Sequence, residues 1–325
     1  MVAIAAILWA LVAVLVTALL YGSLVEARRL RTDRLPLALP RLPERLEGLR
    51  IVHLGDTHCK PSPFYEPLYR AMVEAVNAAN ADLVLISGDM AAGAENLDVA
   101  AHWLGQLRAR HGVFAVAGNH DLNITMERWL LGLDQGIEVE TVRARLAEAG
   151  VELLHNEARW LQLRGELVLL LGVGDVSSGL DDLPATIEDA LRSAPDAAAE
   201  PALTIVLTHS PDLLDRAGVE VADLVLAGHT HAGQMMLPGV GPVWSPVWHG
   251  RRRGAGLLAA GDVAAHVTRG VGTSWPVRLG CPPQVAVLEL RRGTLEGLAV
   301  TPRLEHRSVR SQRRLAQADS GGGDA

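Results

Sequence analysis

The sequence predicts an α/β fold preceded by one transmembrane helix, and two observations support this. From Leu49 onward, short apolar runs alternate with segments of helical periodicity, which is typical of α/β organisation. Before them, residues 2–20 form an uncharged apolar run, and a helix of about 20 such residues spans a bilayer core. The 325 residues suffice for one large α/β domain or two smaller ones.

The N-terminal run also has two other interpretations, a cleaved signal peptide and a buried core helix. A signal peptide normally has basic residues before a shorter apolar stretch, and a core helix more often has a polar stripe. The sequence has neither feature, so we predict a membrane anchor over residues 1–22. By the positive-inside rule, the arginines that follow place the main domain in the cytoplasm. They are Arg28, Arg29, Arg31 and Arg34.

The segment after the anchor, residues 23–48, is predicted to be an extended linker rather than a folded unit. Pro36, Pro40 and Pro43 interrupt its alternating Leu and Arg residues, and such composition suits an extended chain. The globular domain is predicted over residues 49–302. Residues 303–325 contain several arginines and end in GGGDA, so they are predicted to be a disordered tail.

Within the domain, periodicity assigns the elements in order. Strands are predicted at residues 49–54, 83–87, 113–117, 151–155, 159–163, 167–173, 203–208, 224–227, 264–268, 285–290 and 295–300. Helices are predicted at residues 65–80, 95–110, 125–149 with interruptions near Gly132 and Gly136, and 183–192. The chain after Gln234 is predicted to be rich in loops before residue 264.

Composition excludes several classes of protein. With 49% hydrophobic and 21% charged residues, the chain is neither disordered nor unusually polar. Its two cysteines, Cys59 and Cys281, cannot form a disulfide framework. A net charge of -7 argues against a nucleic-acid partner, because binding to the phosphate backbone requires clustered Lys and Arg.

Five of the predicted strands end in a short cluster of polar residues. The carboxyl ends of strands in open α/β sheets face a common crevice, and Asp, His and Asn side chains bind divalent transition metals. One such cluster is more often a turn with a capping Asp, but five in succession predict a metal site. The clusters are Gly55-Asp56-Thr57-His58, Ser87-Gly88-Asp89, Gly118-Asn119-His120-Asp121, Thr208-His209 and Gly228-His229-Thr230-His231.

This ordered set, DTH, GD, GNHD, a single His after a strand, and GHTH, resembles the calcineurin-like metallophosphoesterase superfamily over residues 49–290. Residues 268–274, 278–279 and 281–284 further resemble a bacterial, membrane-associated subgroup. Gly55 stands where Ser is usual and Ala232 where the subgroup often has Gly, and neither departure removes a ligand. The resemblance implies a four-layer α/β/β/α sandwich of two mixed sheets.

The resemblance also implies two divalent metal ions, and the mixed nitrogen and oxygen ligands suit Mn, Fe, Zn or Ni. Two dications and two carboxylates leave a charge of about +2, which attracts a phosphate. A metal-bridged hydroxide would attack phosphorus. The implied ligands of one ion are Asp56, His58, Asp89 and His231, and those of the other are Asp89, Asn119, His209 and His229.

The same resemblance places Asn119 and His120 against the substrate phosphate and makes His120 the acid that protonates the leaving oxygen. Asp121 either orients His120 or caps the following helix. The resemblance thus implies a hydrolase of a phosphoester substrate. A nucleotide or cyclic-nucleotide phosphodiesterase and a non-catalytic membrane scaffold with this fold are the alternatives.

Residues 244–253 contain two Trp and three Arg, a combination that suits a membrane interface. A solvated loop with inward-packed Trp is the other interpretation. Together with the anchor, the loop favours a lipid or lipid-linked phosphoester or pyrophosphate, such as a UDP-diacylglucosamine-type precursor of lipid A.

Other conspicuous residues are predicted to be structural. His53 lies mid-strand and is predicted to be a core histidine, and Asp175 is predicted to be a turn residue. Gly172 and Gly174 lack the third glycine of a dinucleotide site. Histidines outside the motifs are predicted to be structural or exposed, namely His102, His111, His155, His249, His266 and His306.

Overall fold

The computed structural model of the chain describes residues 2–125, 128, 130–132, 136–196, 199–237, 239–247, 253–273 and 275–300. The predicted disordered tail, residues 303–325, lies outside the described residues, as do His249 and His306.

The described elements alternate along the chain as an α/β fold requires. The helices are α1 Val2–Leu24, α2 Glu66–Ala78, α3 Leu97–Leu104, α4 Val139–Glu148 and α5 Leu183–Arg192. The strands are β1 Arg31–Leu39, β2 Arg50–Leu54, β3 Leu83–Ile86, β4 Val113–Ala115, β5 Glu152–Leu153, β6 Glu157–Leu163, β7 Glu166–Gly172, β8 Leu203–Leu207, β9 Leu224–Ala227, β10 Met236–Leu237, β11 Gly241–Pro242, β12 Gly256–Ala260, β13 Val263–Val267, β14 Gln284–Arg292 and β15 Ala299–Val300.

Two mixed sheets form the centre of the domain. The six-stranded sheet has the order β1-β14-β2-β3-β4-β5, and the seven-stranded sheet has the order β15-β12-β13-β9-β8-β7-β6. Strands β2, β3 and β4 are parallel, as are β7, β8, β9 and β13. The central strands are apolar along almost their whole length, because both faces of the sheet are covered.

The layers follow from where the apolar side chains pack. Leu85 and Phe114 of the six-stranded sheet share a core with Ile205 and Leu226 of the seven-stranded sheet. Helices α2, α3 and α4 cover the outer face of the first sheet, and α5 covers that of the second. Helix α2 does so with residues at helical spacing, including Leu68, Met72 and Val76. The predicted α/β/β/α sandwich is therefore confirmed.

The prediction of an extended linker over residues 23–48 is wrong for its middle third. Strand β1 lies parallel to β14 along its full length, from Arg31 opposite Gln284 to Leu39 opposite Arg292. Leu37 and Leu39 are buried between the sheets. Pro36 is compatible with this strand because β1 lies at the sheet edge, where a missing N–H is tolerated.

The chain after Gln234 contains more regular structure than predicted. β10 and β11 form a two-stranded antiparallel hairpin, and β12 pairs with β13. These strands are short and contain Gly, Ala and Pro, so their sequence resembles a loop. Helix α4 covers Val139–Glu148 within the predicted helix 125–149.

Helix α1 is apolar throughout, and of its 23 residues only Gly22 is buried. A hydrophobic helix that exposes nearly all of its side chains does not belong to a soluble core, which excludes the interpretation as a core helix. By length and composition α1 is a candidate membrane span, and a signal sequence would pass the same test.

Two buried histidines contact each other between the sheets. The Nδ1 atoms of His53 on β2 and His266 on β13 are 2.7 Å apart. Burial lowers the pKa of both imidazoles, to about 3 for His266. Both are therefore neutral in the folded protein, whereas unfolded histidines bind protons below about pH 6.5. Because the unfolded chain then binds more protons, the free energy of unfolding falls as the pH drops below that value.

We expect His266→Asn, which keeps a polar atom near Nδ1, to weaken this acid sensitivity. Each such histidine accounts for up to about 1.4 kcal/mol per pH unit. The thermal midpoint of the full chain in detergent with EDTA should therefore fall less between pH 7 and 5 in the variant than in the wild type. The exposed residue His111 offers a control, since His111→Asn should retain the wild-type slope. An unchanged slope in His266→Asn would contradict the assignment.

Candidate metal centre

All five predicted polar clusters follow their strands and meet at one edge of the two sheets. Strands β2, β3 and β4 lead into Asp56 and His58, Asp89, and Asn119 with His120. From the second sheet, β8 leads into His209, and β9 leads into His229 and His231. The structure thus brings together all seven residues that the resemblance implies as ligands.

The backbone turns sharply where these side chains leave their strands. Five of the candidate ligands have positive φ, a conformation that costs non-glycine residues about 1 kcal/mol or more. They are Asp56 at 49°, His58 at 41°, Asp89 at 51°, His229 at 67° and His231 at 49°. Cross-strand hydrogen bonds hold two of them, since the N–H of Asp56 donates to Gly88 O (2.8 Å) and that of His58 to Asp89 O (3.0 Å).

One group of ligand atoms lies around His231. Its Nε2 atom is 3.0 Å from Nε2 of His58 and 3.4 Å from Oδ1 of Asp56. Nε2 of His58 is also 3.7 Å from Oδ2 of Asp89. We call these four residues the first donor set.

A second group surrounds Nε2 of His209. That atom is 3.1 Å from Nδ1 of His229, 3.2 Å from Oδ1 of Asn119 and 3.4 Å from Oδ2 of Asp89. Nδ1 of His209 lies 2.7 Å from the carbonyl oxygen of Ser87. Because a carbonyl can only accept, Nδ1 donates and Nε2 of the neutral ring keeps its lone pair for a ligand. These four residues are the second donor set, and Oδ2 of Asp89 belongs to both.

The spacing in both sets fits a metal ion. Ligand atoms about 2.1 Å from one metal stand about 3.0 Å apart at octahedral angles and about 3.4 Å apart at tetrahedral angles. The distances from His231 and His209 to their neighbours, 3.0–3.4 Å, match these values. The Nε2 atoms of His58 and His231, 3.0 Å apart, can either share one proton in a hydrogen bond or bind one cation.

Two of the histidines are already in the neutral form that binds a cation, whereas other groups must first lose a proton. Burial lowers the pKa of His58 to about 3 and that of His229 to about 4, so both rings are neutral and can act as ligands. Burial raises the pKa of Asp56 to about 7, because removal from water disfavours the ionised carboxylate more than the nearby His209 and Arg278 favour it. Burial also opposes charge on Asp89 and His209, but their mutual attraction lowers the pKa of Asp89 and raises that of His209. A cation bound to the second donor set must therefore displace a proton.

Glycines before the ligands leave room for the shared carboxylate. A Cβ atom on Gly118 would overlap the Asp89 carboxylate and lie 2.6 Å from the Asp89 backbone nitrogen. A Cβ atom on Gly228 would lie 2.5 Å from Oδ2 of Asp56. These positions accept no side chain unless a ligand moves.

We expect Gly118→Ala to lower the metal content of the purified full chain to half the wild-type value or less. The added methyl group displaces Asp89, on which both donor sets depend. Elemental analysis measures the stoichiometry. Gly136→Ala is the matched control, because a Cβ there would meet its nearest neighbour at 3.5 Å, an ordinary contact. Full metal content in Gly118→Ala would show that Asp89 is not constrained in this way.

His120 lies beside the donor sets, and one of its ring nitrogens is within 4.8 Å of ligand atoms of His58 and Asp89. Its backbone N–H donates to Oδ1 of Asp89 (2.9 Å), and its ring packs edge-on against His58 with centroids 4.7 Å apart. The side chain is only partly buried and borders the cavity described below. It is therefore accessible to a bound molecule.

Asp121 makes two backbone hydrogen bonds that the sequence does not predict. Its carboxylate accepts hydrogen bonds from the backbone N–H groups of Ala91 (2.8 Å) and Gly118 (2.9 Å). It thereby fixes the loops that carry Asp89 and Asn119. Burial raises the pKa of this carboxyl to about 7. We class Asp121 as a positioning residue.

No sequence motif assigns a role to Arg278, although the residue lies in a segment that resembles the bacterial, membrane-associated subgroup. Its side chain is fully buried. One terminal nitrogen lies 3.3 Å from Nδ1 of His231 and 2.9 Å from the carbonyl oxygen of Arg269, and the other donates to the carbonyl of Cys281 (3.1 Å). Arg278 therefore holds the 269–281 segment against His231.

The structure also describes Asp175 and part of the loop at residues 244–253. Asp175 accepts hydrogen bonds from Ser177 and Ser178 in a turn, as predicted. Arg253 belongs to the loop that the sequence assigns either to a membrane interface or to solvent, but its side chain is buried and bonds both oxygens of Asp215 (2.7 and 2.9 Å). Residues 248–252 of that loop lie outside the described part of the chain.

A cavity of about 600 Å³ opens above the donor sets. Asp89, Asn119, His120, His229 and His231 form its polar floor, and the rest of the lining is largely apolar. A larger open groove of about 1120 Å³ lies beside α2 and α3, and none of the candidate ligands is among its described lining residues. Of these two cavities, the smaller one is therefore the candidate site for a metal-dependent reaction.

A family model for calcineurin-like phosphoesterases matches residues 49–233, more than half of the chain. The chain belongs to this family. The resemblance inferred from the five clusters is thus confirmed, and the protein is a metallophosphoesterase, a hydrolase that acts on phosphoester bonds.

The metallophosphoesterase is similar to several curated proteins. It is 34% identical to phosphodiesterase YaeI of Escherichia coli strain K12 over 213 residues, 64% of this chain and 70% of YaeI. It is 31% identical to a Danio rerio transmembrane protein with a metallophosphoesterase domain, over 69% of this chain and 50% of that protein. It is 24% identical to UDP-2,3-diacylglucosamine pyrophosphatase LpxG of Chlamydia trachomatis, over 81% of this chain and 90% of LpxG.

Proposed function

We propose that this metallophosphoesterase is a membrane-anchored, binuclear hydrolase of a lipid or lipid-linked phosphoester or pyrophosphate. One observation supports the proposal above all others. Two donor sets that share Oδ2 of Asp89 lie on the polar floor of a cavity whose other walls are largely apolar. Such a cavity suits a molecule with a phosphate at one end and hydrocarbon at the other.

The first donor set would hold one divalent ion and the second donor set the other. Mn, Fe, Zn or Ni ions at these sites would supply positive charge and lower the pKa of a water molecule. Two carboxylates are the only anionic members of the two sets, and the neutral Asn119 preserves the excess positive charge that attracts a phosphate. His120, at the cavity floor but outside both sets, would contact the phosphate and donate a proton to the leaving oxygen.

Membrane attachment would come from α1. Its length and composition are those of a membrane span, and the similar protein from Danio rerio is named a transmembrane protein. The arginines after α1 favour a cytoplasmic domain. The name of LpxG gives a lipid-linked pyrophosphate as its substrate, which makes UDP-2,3-diacylglucosamine a specific candidate.

The runner-up substrate class is a nucleotide or cyclic nucleotide. YaeI is named a phosphodiesterase, and the same metal centre can act on both classes. A non-catalytic scaffold is less well supported, because seven converging ligands and His120 have no evident purpose without metal chemistry.

The test uses the full chain in nanodiscs, because removing residues 1–48 would delete β1 from its sheet. Metal content is measured first. Hydrolysis is then compared for p-nitrophenyl phosphate, bis(p-nitrophenyl) phosphate, a cyclic nucleotide and UDP-2,3-diacylglucosamine, with Asp89→Asn as the inactive control. We expect about two metals per chain and the highest kcat/KM for the lipid substrate. A preference for the cyclic nucleotide would support the runner-up, and a metal-free, inactive chain would support the scaffold.

A further inference from the structure

We propose that α1 is part of the substrate site as well as an anchor, and that the apolar mouth of the cavity admits an acyl chain of the substrate directly from the membrane. This inference rests on the proposed function and extends it. It concerns how the substrate reaches the donor sets, and it assigns a specificity role to Leu19 of α1 and to Trp275.

The C-terminal end of α1 is fixed against the catalytic domain. The N–H of Arg278 donates to the carbonyl of Gly22 (3.2 Å). A Cβ atom on Gly22 would lie 2.7 Å from the carbonyl oxygen of Arg278 and 3.0 Å from Val277, so only glycine allows this approach. Arg278 in turn lies 3.3 Å from the ring of His231. Two residue contacts therefore connect the helix to the first donor set.

The same contact brings α1 to the cavity. Leu19, one helical turn before Gly22, lines the cavity together with Val277, Trp275, Met235 and Trp244. The same cavity has Asp89, His120 and His231 at its floor. One continuous space thus runs from the candidate metal ligands to a residue of the hydrophobic helix.

The position of Leu19 along α1 places this end of the cavity at the bilayer. A helix of 23 residues is about 34 Å long, slightly more than the roughly 30 Å hydrocarbon core. Leu19 is five residues before the end of α1, about 7 Å along the axis. The helix cannot span the core unless Leu19 lies at or inside its boundary.

The rim of the cavity has the composition of a membrane interface. Trp244 and Trp275, which line the cavity, expose 63% and 71% of their surface. Leu237 and Val240 lie in the β10–β11 hairpin, which follows the lining residue Met235, and they expose about half of their surface. Exposed Trp rings prefer the interface between headgroups and hydrocarbon. An apolar rim that continues into a membrane helix has an evident occupant, the hydrocarbon of the same leaflet.

This arrangement predicts selectivity for hydrocarbon in the substrate. The phosphate would lie at the donor sets, while an acyl chain would extend past Trp275 and Leu19 into the leaflet. Apolar burial contributes about 0.8 kcal/mol per methylene, so even a short buried stretch changes kcat/KM by a large factor. A water-soluble phosphodiester would use the same donor sets without touching Leu19.

The experiment compares methyl p-nitrophenyl phosphate with dodecyl p-nitrophenyl phosphate, which share the leaving group. The wild-type chain and the Leu19→Trp variant are both assayed in nanodiscs at saturating Mn²⁺. We expect Leu19→Trp to fill the mouth of the cavity and to lower kcat/KM for the dodecyl ester at least ten-fold, with less than a two-fold change for the methyl ester. Trp275→Ala, at an exposed position that also lines the cavity, should weaken the preference for the dodecyl ester.

Leu20→Trp is the matched control, because Leu20 is about 100° around the helix, is 54% exposed and is not among the described residues that line the cavity. It should leave both esters unaffected, which separates the effect from simple partitioning of the dodecyl ester into the nanodisc. If neither Leu19→Trp nor Trp275→Ala changes the ratio of the two esters, the inference is wrong while the hydrolase stands. If the wild type hydrolyses neither ester, the proposed function itself fails. Should Leu19→Trp not fold, Trp275→Ala alone decides.

Discussion

Asp89→Asn is expected to deplete both metal ions together and to lower kcat by about 10³-fold or more, equivalent to about 4 kcal/mol of barrier. Oδ2 of Asp89 is the atom common to both donor sets, at 3.7 Å from His58 and 3.4 Å from His209. The amide keeps the shape of the side chain but removes its charge. Elemental analysis of the purified chain and the hydrolysis of bis(p-nitrophenyl) phosphate measure the two effects.

His231→Ala should behave differently, because His231 belongs to the first donor set alone. We expect metal content to fall from about two ions to about one, with the second donor set still occupied. Asp98→Asn, at an exposed side chain, is the control and should retain both ions. Equal loss of metal in Asp89→Asn and His231→Ala would refute the division into two sets.

His120→Ala is expected to keep its metal ions and to lose turnover by about 10²- to 10⁴-fold, the usual contribution of a general acid. His120 borders the cavity floor, and its ring is outside both donor sets. The effect should depend on the leaving group. A p-nitrophenolate ion leaves without a proton, so the loss should be smaller for p-nitrophenyl esters than for alkyl esters, whose alkoxide must be protonated.

The measurement is the ratio of kcat/KM for the two ester types in the wild type and in His120→Ala. His111→Ala, at an exposed histidine away from the cavity, should leave the ratio unchanged. A uniform loss for both ester types would assign His120 to phosphate binding rather than to proton transfer. Wild-type activity would remove His120 from the mechanism.

The convergence of the seven candidate ligands could be predicted because each follows a buried strand directly. The carboxyl ends of parallel strands meet at one edge of the sheet. The position of Asp56 or Asp89 directly after a strand therefore indicates that these residues lie close together in the fold. The division into two donor sets comes from the resemblance to a family, and it stays a prediction that the metal content of Asp89→Asn and His231→Ala tests.

Features that depend on contacts between distant residues could not be predicted. β1 looked like a linker because Pro36 and its arginines mask the alternation of Leu35, Leu37 and Leu39, and only pairing with β14 makes it a strand. Arg278 lies in an irregular segment, and its burial depends on the carbonyls that surround it. The contact of Gly22 with Arg278 joins residues 256 positions apart, and no local pattern in α1 indicates it.

The short connection between α1 and β1 has a further consequence for the anchored enzyme that we propose. Six residues separate Leu24 from Arg31, and among them Glu26 is buried and accepts a hydrogen bond from the N–H of Cys281 (2.8 Å). The domain therefore has no free tether and keeps one height and one orientation above the lipid. Encounters are then confined to two dimensions, and the turnover rate should follow the mole fraction of substrate in the leaflet rather than its bulk concentration.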